Sequence, residues 1–220
     1  MIDAAALAAI VLSLKLAAVS TTLLLLLAIP LAWWLQASTS ALARASEILV
    51  ALPLVLPPTV IGFYLLLAFS PHQWPGAQWL ALTGSSLAFS FTGLVIGSMV
   101  YSLPFVVQPL QASFAQLDKG LLEMAELQGL NRWQQFAQVV LPLCKQGFAG
   151  AFVLGFAHTL GEFGVVLMIG GNIPDETRVA SIAIFDAVEQ LDYAAAHQLS
   201  LIMLAIAVVA LLAIYGRKKS

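Results

Sequence analysis

The sequence predicts an all-α integral membrane protein: one domain over 1–220, with about five membrane-crossing helices and a single long polar loop. Three observations predict it. Of 220 residues, 61% are hydrophobic and only 9% charged, against roughly 25% charged in soluble domains. Apolar runs of about twenty residues recur, the length that crosses a hydrocarbon core about 30 Å thick. Residues 48–117 contain no Asp, Glu, Lys or Arg at all.

The first span is expected over 10–35. The start Met1-Ile-Asp-Ala4 carries no basic region, so a retained transmembrane helix is expected in place of a cleaved signal. The uncharged stretch is too long for one span. It divides into spans 48–69 and 87–112 at the turn-rich Ser70-Pro-His-Gln-Trp-Pro-Gly76. The fourth and fifth spans are expected over 146–170 and 194–215. Pro30, Pro53, Pro57, Pro58, Pro104 and Pro109 lie in or near the spans. Such prolines are tolerated in lipid where neighbouring helices satisfy the freed carbonyls. The second and third spans are therefore expected to be kinked and packed against protein. Cys144, the sole cysteine, excludes an internal disulfide and reads as a small apolar residue at a helix start.

Basic residues orient the chain, because cytoplasmic loops carry the excess of Lys and Arg. With the N-terminus outside and the C-terminus inside, Arg44, Lys119, Arg132, Lys145 and Arg217-Lys218-Lys219 all face the cytoplasm. Lys15 and Arg178 alone fall toward the outside. The loops 36–47 and 113–145 are then cytoplasmic. Loops 70–86 and 171–193 face outward, with Trp74 and Trp79 suiting an interfacial belt. A helix over 182–191 is expected along the outer surface.

The 113–145 loop has its own pattern. Leu117, Leu121, Leu122 and Ala125 recur at helical spacing, with Asp118, Glu123 and Glu126 largely on other faces. Gly129 offers the positive φ of a helix end, Asn131 can cap a second short helix, and Leu141-Pro142 marks re-entry into the membrane. Two short helices at an angle suit the docking of a soluble partner. An amphipathic loop lying on the lipid surface suits the same pattern.

Here the residues resemble a known family. Glu123, Ala125, Gly129, Val139, Leu141 and Pro142 match the Glu-Ala-Ala-x3-Gly-x9-Ile-x-Leu-Pro loop of ABC-importer permeases, with Met124 and Val139 as mild departures. His158-Thr-Leu-Gly-Glu-Phe-Gly164 and Gly171-Asn-Ile-Pro-Asp-Glu-Thr-Arg178 resemble the molybdate, tungstate and sulfate permeases, as does Leu52-Pro-Leu-Val-Leu-Pro-Pro58 with Gly62. The compact five-span length is most similar to the bacterial molybdate permeases.

The resemblance implies a type I permease fold and an inner-membrane homodimer with its path on the two-fold axis. It also implies two ABC ATPase subunits carrying ATP and Mg, and a periplasmic oxyanion-binding protein. The ATPase-coupling residues it implies are Leu121, Leu122, Glu123, Ala125, Gly129, Leu141 and Pro142. The path or gate residues are Pro57, Pro58, Gly161, Glu162 and Gly164, and Arg178 is the outer contact for an anion or binding protein.

Glu162 is the one acidic residue inside an expected span. A charge there costs roughly 2.5–3.5 kcal/mol on insertion scales, so it faces the bundle interior or a cavity. It reads either as a gate beside the path or, preferably, as a structural carboxyl bonded to a neighbouring helix, with His158 one turn away as a possible pair. Arg178 reads as an anion contact or as a plain solvated side chain.

No Gly-x4-Gly-Lys-Ser/Thr phosphate loop occurs, and no metal cluster, hydrolytic set or nucleic-acid signature is evident. The chain is therefore expected to be a transport subunit, not an enzyme, with no cofactor of its own. The competing class is a gradient-driven secondary transporter using Glu162 and His158, which would need matching halves that are not evident.

Overall fold

The computed structural model describes residues 4–215, all of whose regular elements are helical. The tail Arg217-Lys218-Lys219, which supports the expected orientation, lies outside the described residues.

The first helix, α1 (Ala4–Ala37), is 34 residues long and continues through Pro30. At 1.5 Å per residue it reaches about 50 Å, well beyond the hydrocarbon core. It starts six residues before the expected span because Ala4-Ala-Ala-Leu-Ala-Ala9 offers nothing to stop a helix. Its buried stripe, Leu16, Ser20, Leu24, Ala28, Ala32 and Leu35, keeps close to a four-residue spacing, one face of a helix. That stripe lies against α5 (Phe91–Ala115) and α9 (Lys145–Leu160). Leu24, Ala28, Val106, Val107, Leu110, Phe114 and Ala151 form the shared core. The small residues let the helix backbones approach closely, as membrane packing requires.

The second expected span, 48–69, is not one kinked helix. It divides into α2 (Ala41–Ala51), a tight turn at Leu52–Leu54, and α3 (Pro58–Phe69). The two arms meet at 113°. The cause is the Pro57-Pro58 pair: a residue before proline is pushed out of helical geometry. Pro57 takes φ −54°, ψ 138°, and Pro58 opens the next helix at the position proline favours. The hairpin α4 (Gly76–Thr83) ends at Gly84, and Ser90 caps α5 by accepting from the Gly93 N–H at 3.1 Å. Both Pro104 and Pro109 sit inside α5, which is otherwise continuous.

The polar loop contains α6 (Lys119–Leu127), α7 (Arg132–Gln135), one wide turn at Phe136–Val140, and α8 (Leu141–Leu143). The fourth expected span, 146–170, is also divided: α9 stops at Leu160, and α10 (Gly164–Gly170) starts after a break of three residues. The segment Arg132–Leu143 meets α9 at 74°. The short α10 is wedged between α3 and α5. This close approach needs glycine, since a Cβ on Gly164 would lie 2.8 Å from Pro58 Cβ.

The surface helix expected over 182–191 is α11 (Ala180–Glu189), and α12 (Tyr193–Tyr215) closes the described chain against α11 and α9. Most of α12 is left uncovered, with Leu204, Val209 and Leu212 each more than 60% exposed. Among the described residues three helices are long and apolar enough to cross a membrane, and up to five if each bent pair counts as one span.

Candidate functional site: a coupling element and a broken span

The polar loop is built by local chemistry. Asp118 starts α6 by accepting from the Gly120 N–H at 2.8 Å. At the other end Gly129 takes φ +79°, which L side chains avoid. Its N–H donates to Glu126 O at 2.9 Å, and the Leu130 N–H donates to Ala125 O at 3.1 Å. This is the paired closure that a left-handed glycine allows at a helix end. Asn131 then opens α7. Its side chain accepts from the Gln134 N–H at 3.0 Å, and the Gln134 side chain accepts from the Asn131 N–H at 2.9 Å. Two N–H groups at this helix start are thus satisfied reciprocally within four residues.

The two short helices present a mixed surface. Leu122 packs inward against the bundle core, and Ala125 is buried between the arms of the element. Outward stand Leu121, Met124 and Leu127, one every three residues, together with Trp133. Leu127 and Trp133 are 88% and 84% exposed, unusual for large apolar side chains on a charged segment. Between the arms lies a cleft of about 400 Å³ lined by Leu121, Met124, Ala125, Gln128, Val139 and Pro142. Glu123 is exposed beside it, as are Gly129, Leu141 and Pro142. Sequence reasoning missed Met124, Leu127 and Trp133. Their three-residue spacing was legible, but an apolar residue at that spacing is normally read as buried.

The broken span gathers the other expected residues. Gly161 ends α9, its N–H reaching both Ala157 O and His158 O at 3.2 Å. Glu162 follows, 4% exposed, and Gly164 seats α10 against Pro58, while Pro57 stays exposed. Neither carboxyl oxygen of Glu162 closes a hydrogen bond at full geometry among the described residues; the side chain positioned to donate one is the buried Ser98 hydroxyl of α5. The Glu162 backbone carbonyl is held, accepting from Ser181 Oγ at 2.6 Å.

The expected His158–Glu162 pair does not form. An i, i+4 pair needs an unbroken helix, and α9 ends between the two residues. His158 Nδ1 instead meets Ser102 Oγ at 2.9 Å, and Ser102 meets Thr159 Oγ1 at 2.9 Å. The imidazole stacks on Phe105, with ring centres 3.7 Å apart. As a structural carboxyl Glu162 has its neighbour in Ser98 of the adjoining helix α5, although the bond is not closed at full geometry.

Arg178 is not a free solvated side chain. Its guanidinium meets Asp186 at 3.0 Å, and the same carboxylate accepts from Asn172 Nδ2 at 2.6 Å. Arg178 also borders a cleft of about 230 Å³ with Ala4, Ala8, Pro174 and Asp175.

A chain of bent apolar spans carrying an exposed, fully capped polar joint has known counterparts. Residues 25–217 match the family described as the binding-protein-dependent transport system inner membrane component. The molybdenum transport system permease protein ModB of Azotobacter vinelandii is 50% identical over 97% of this chain and 94% of its own length. ModB of Escherichia coli (strain K12) is 33% identical over 93% of this chain and 90% of its own. The sulfate transport system permease protein CysT of Escherichia coli (strain K12) is 35% identical over 76% of this chain and 60% of its own. The fold is shared with the crystal structure of a bacterial ABC transporter involved in the import of the acidic polysaccharide alginate. That likeness has a TM-score of 0.73 and 21% identity, over 96% of this chain and 77% of that one. The chain therefore belongs to the binding-protein-dependent transport system inner membrane component family and is a multi-pass membrane permease of the ABC-importer type.

Proposed function

We propose that this chain imports molybdate, as one of two identical permease subunits with the path on their common axis. The observation that carries the substrate is the 50% identity with ModB across nearly the full length of both chains. Five spans are few for enclosing a gated path, and a two-fold pair doubles them. The orientation is N-terminus outside and C-terminus in the cytoplasm, which places Arg132, Lys145 and the polar joint on the inner face.

Energy comes from two partner ATPases, where ATP and Mg bind. They dock on Leu121, Leu122, Glu123, Ala125, Gly129, Leu141 and Pro142, with Met124, Leu127 and Trp133 supplying apolar contact. Leu122 and Ala125 act as the inner bracing of that joint, which passes ATPase closure on to the bundle. A periplasmic binding protein releases its anion at the outer face, near Arg178. ATP binding draws the two joints together and shifts the population from inward-open to outward-open, and hydrolysis resets it. Pro57, Pro58, Gly161, Glu162 and Gly164 form the region that rearranges, since the divided spans meet there.

A sulfate permease is the second reading, favoured by the 35% identity with CysT. Uptake of labelled molybdate, with and without this chain and challenged by tungstate and sulfate, tests both. Loss on deletion, with competition by tungstate and little by sulfate, is the expected result. Intact molybdate uptake with failed sulfate uptake transfers the substrate to sulfate. No change in either overturns the oxyanion assignment.

A further inference from the structure

Polar side chains at membrane depth are spread unevenly over the outside of the bundle. Over residues 18–27 of α1 the exposed residues are Ala18, Thr22, Leu23, Leu26 and Leu27, and the Thr22 hydroxyl donates to its own Ala18 carbonyl at 2.7 Å. Lys15, nearer the outer end, sits over the Phe91 ring at 4.6 Å, and the stretch from Ala18 to Leu27 suits lipid. One side of α5 differs. Gln108 is exposed there, with Tyr101 and Phe105 on the same stripe half-buried against the His158 ring.

Gln108 is the telling residue. It shares one helical stripe with Tyr101, Phe105 and Ala112, at the spacing of a single face. It lies about 10 Å from the C-terminal end of α5, inside a hydrocarbon layer about 30 Å thick. Gln111, one turn on, is occupied: its Nε2 donates to Glu47 Oε1 at 3.3 Å. The Gln108 amide has no side-chain partner among the described residues. Lipid can satisfy neither its two N–H groups nor its carbonyl. Polar groups at this depth face protein or a water-filled cavity.

We propose that Gln108 faces the aqueous transport path and donates its amide N–H groups to the tetrahedral oxyanion as it passes. The proposal rests on the oxyanion-permease reading above. No Lys or Arg occurs on α5, so the donors along this stripe are neutral: the Gln108 amide and the Tyr101 hydroxyl. Neutral donors suit a transit site. A path must welcome an ion yet release it, and a fixed cation opposite a dianion would hold it.

The test uses the complete transporter, with its ATPases and binding protein, in proteoliposomes. Gln108→Glu puts a carboxylate against a dianion and is expected to lower molybdate uptake by about tenfold or more. Gln108→Asn keeps the donor and most of the uptake, and Thr22→Val on the lipid face changes nothing. A second measurement needs no transport. In a Cys144→Ala background, Gln108→Cys and Leu26→Cys are treated on both sides with a charged, membrane-impermeant thiol reagent. The thiol at 108 is expected to react about tenfold faster or more, since only a hydrated thiol ionises and attacks.

Normal uptake by Gln108→Glu, or equal labelling at 108 and 26, overturns the proposal. If Gln108→Glu does not assemble, the labelling decides. If the unmodified transporter moves no oxyanion, the permease reading fails, while fast labelling at 108 still marks an aqueous path.

Discussion

The helical chain is interrupted around Gly129 and again around Glu162, and the two interruptions obey different rules. Around Gly129 the freed backbone groups that bond do so within a few residues, through Asp118, Ala125, Glu126, Asn131 and Gln134. The joint is exposed and could keep its shape whatever packs on it. At Glu162 the backbone is held by Ser181 and by the end of α9, yet the carboxyl and the Ser98 hydroxyl are buried and unbonded. Its shape comes from helices packing around it. An exposed joint should therefore be sensitive to backbone conformation and tolerant of size. A buried break should be sensitive to size.

The largest expected effect is at Gly129. Proline fixes φ near −65°, whereas Gly129 sits at +79° and its N–H is bonded to Glu126 O. Gly129→Pro is expected to abolish ATPase-driven uptake while the chain still inserts. Gly129→Asn, a residue that tolerates positive φ, retains it. Glu123→Lys, which reverses an exposed charge on the same joint, is expected to uncouple ATP hydrolysis from uptake without lowering stability. Normal uptake in both Gly129→Pro and Glu123→Lys would remove the docking role from this element.

The next effect belongs to the buried break. Gly164→Val drives a side chain into Pro58, where even a Cβ would lie at 2.8 Å. Overpacking of this kind costs about 1–3 kcal/mol, read as a lower thermal midpoint of the purified transporter. An unchanged midpoint would show that α10 can slide away from α3, and that packing does not define the break.

This contrast also explains what could be read from the residues alone. Asn131 as a cap and Gly129 as a helix end were legible because both act on neighbours within four residues. The division of 48–69 was half legible: Pro57-Pro58 announced a bend, but its 113° also reflects α3 packing on α10 and α2 packing on α5, both distant in the chain. The stop of α9 at Leu160 was not legible. Gly161 and Gly164 are both common inside membrane helices, and the break depends on contacts from Pro58 and Ser181, each from a distant part of the chain. The Arg178–Asp186 pair was not legible for the same reason, since Asp186 meets Arg178 only after α11 folds back.

The smallest effect sharpens the comparison most. Glu162→Gln keeps the size of the side chain and removes its acid. The donor placed for its carboxyl is the buried Ser98 hydroxyl of α5, and the bond between them is not closed at full geometry. The thermal midpoint is expected to stay within the range of an ordinary surface change, about 0.5 kcal/mol. A carboxylate engaged in a buried bond would behave otherwise, because stranding its partner costs about 1–3 kcal/mol. A clear loss of stability would therefore show that Glu162 and Ser98 close their bond in the assembled transporter, so that side chains hold this break as backbone bonds hold the Gly129 joint.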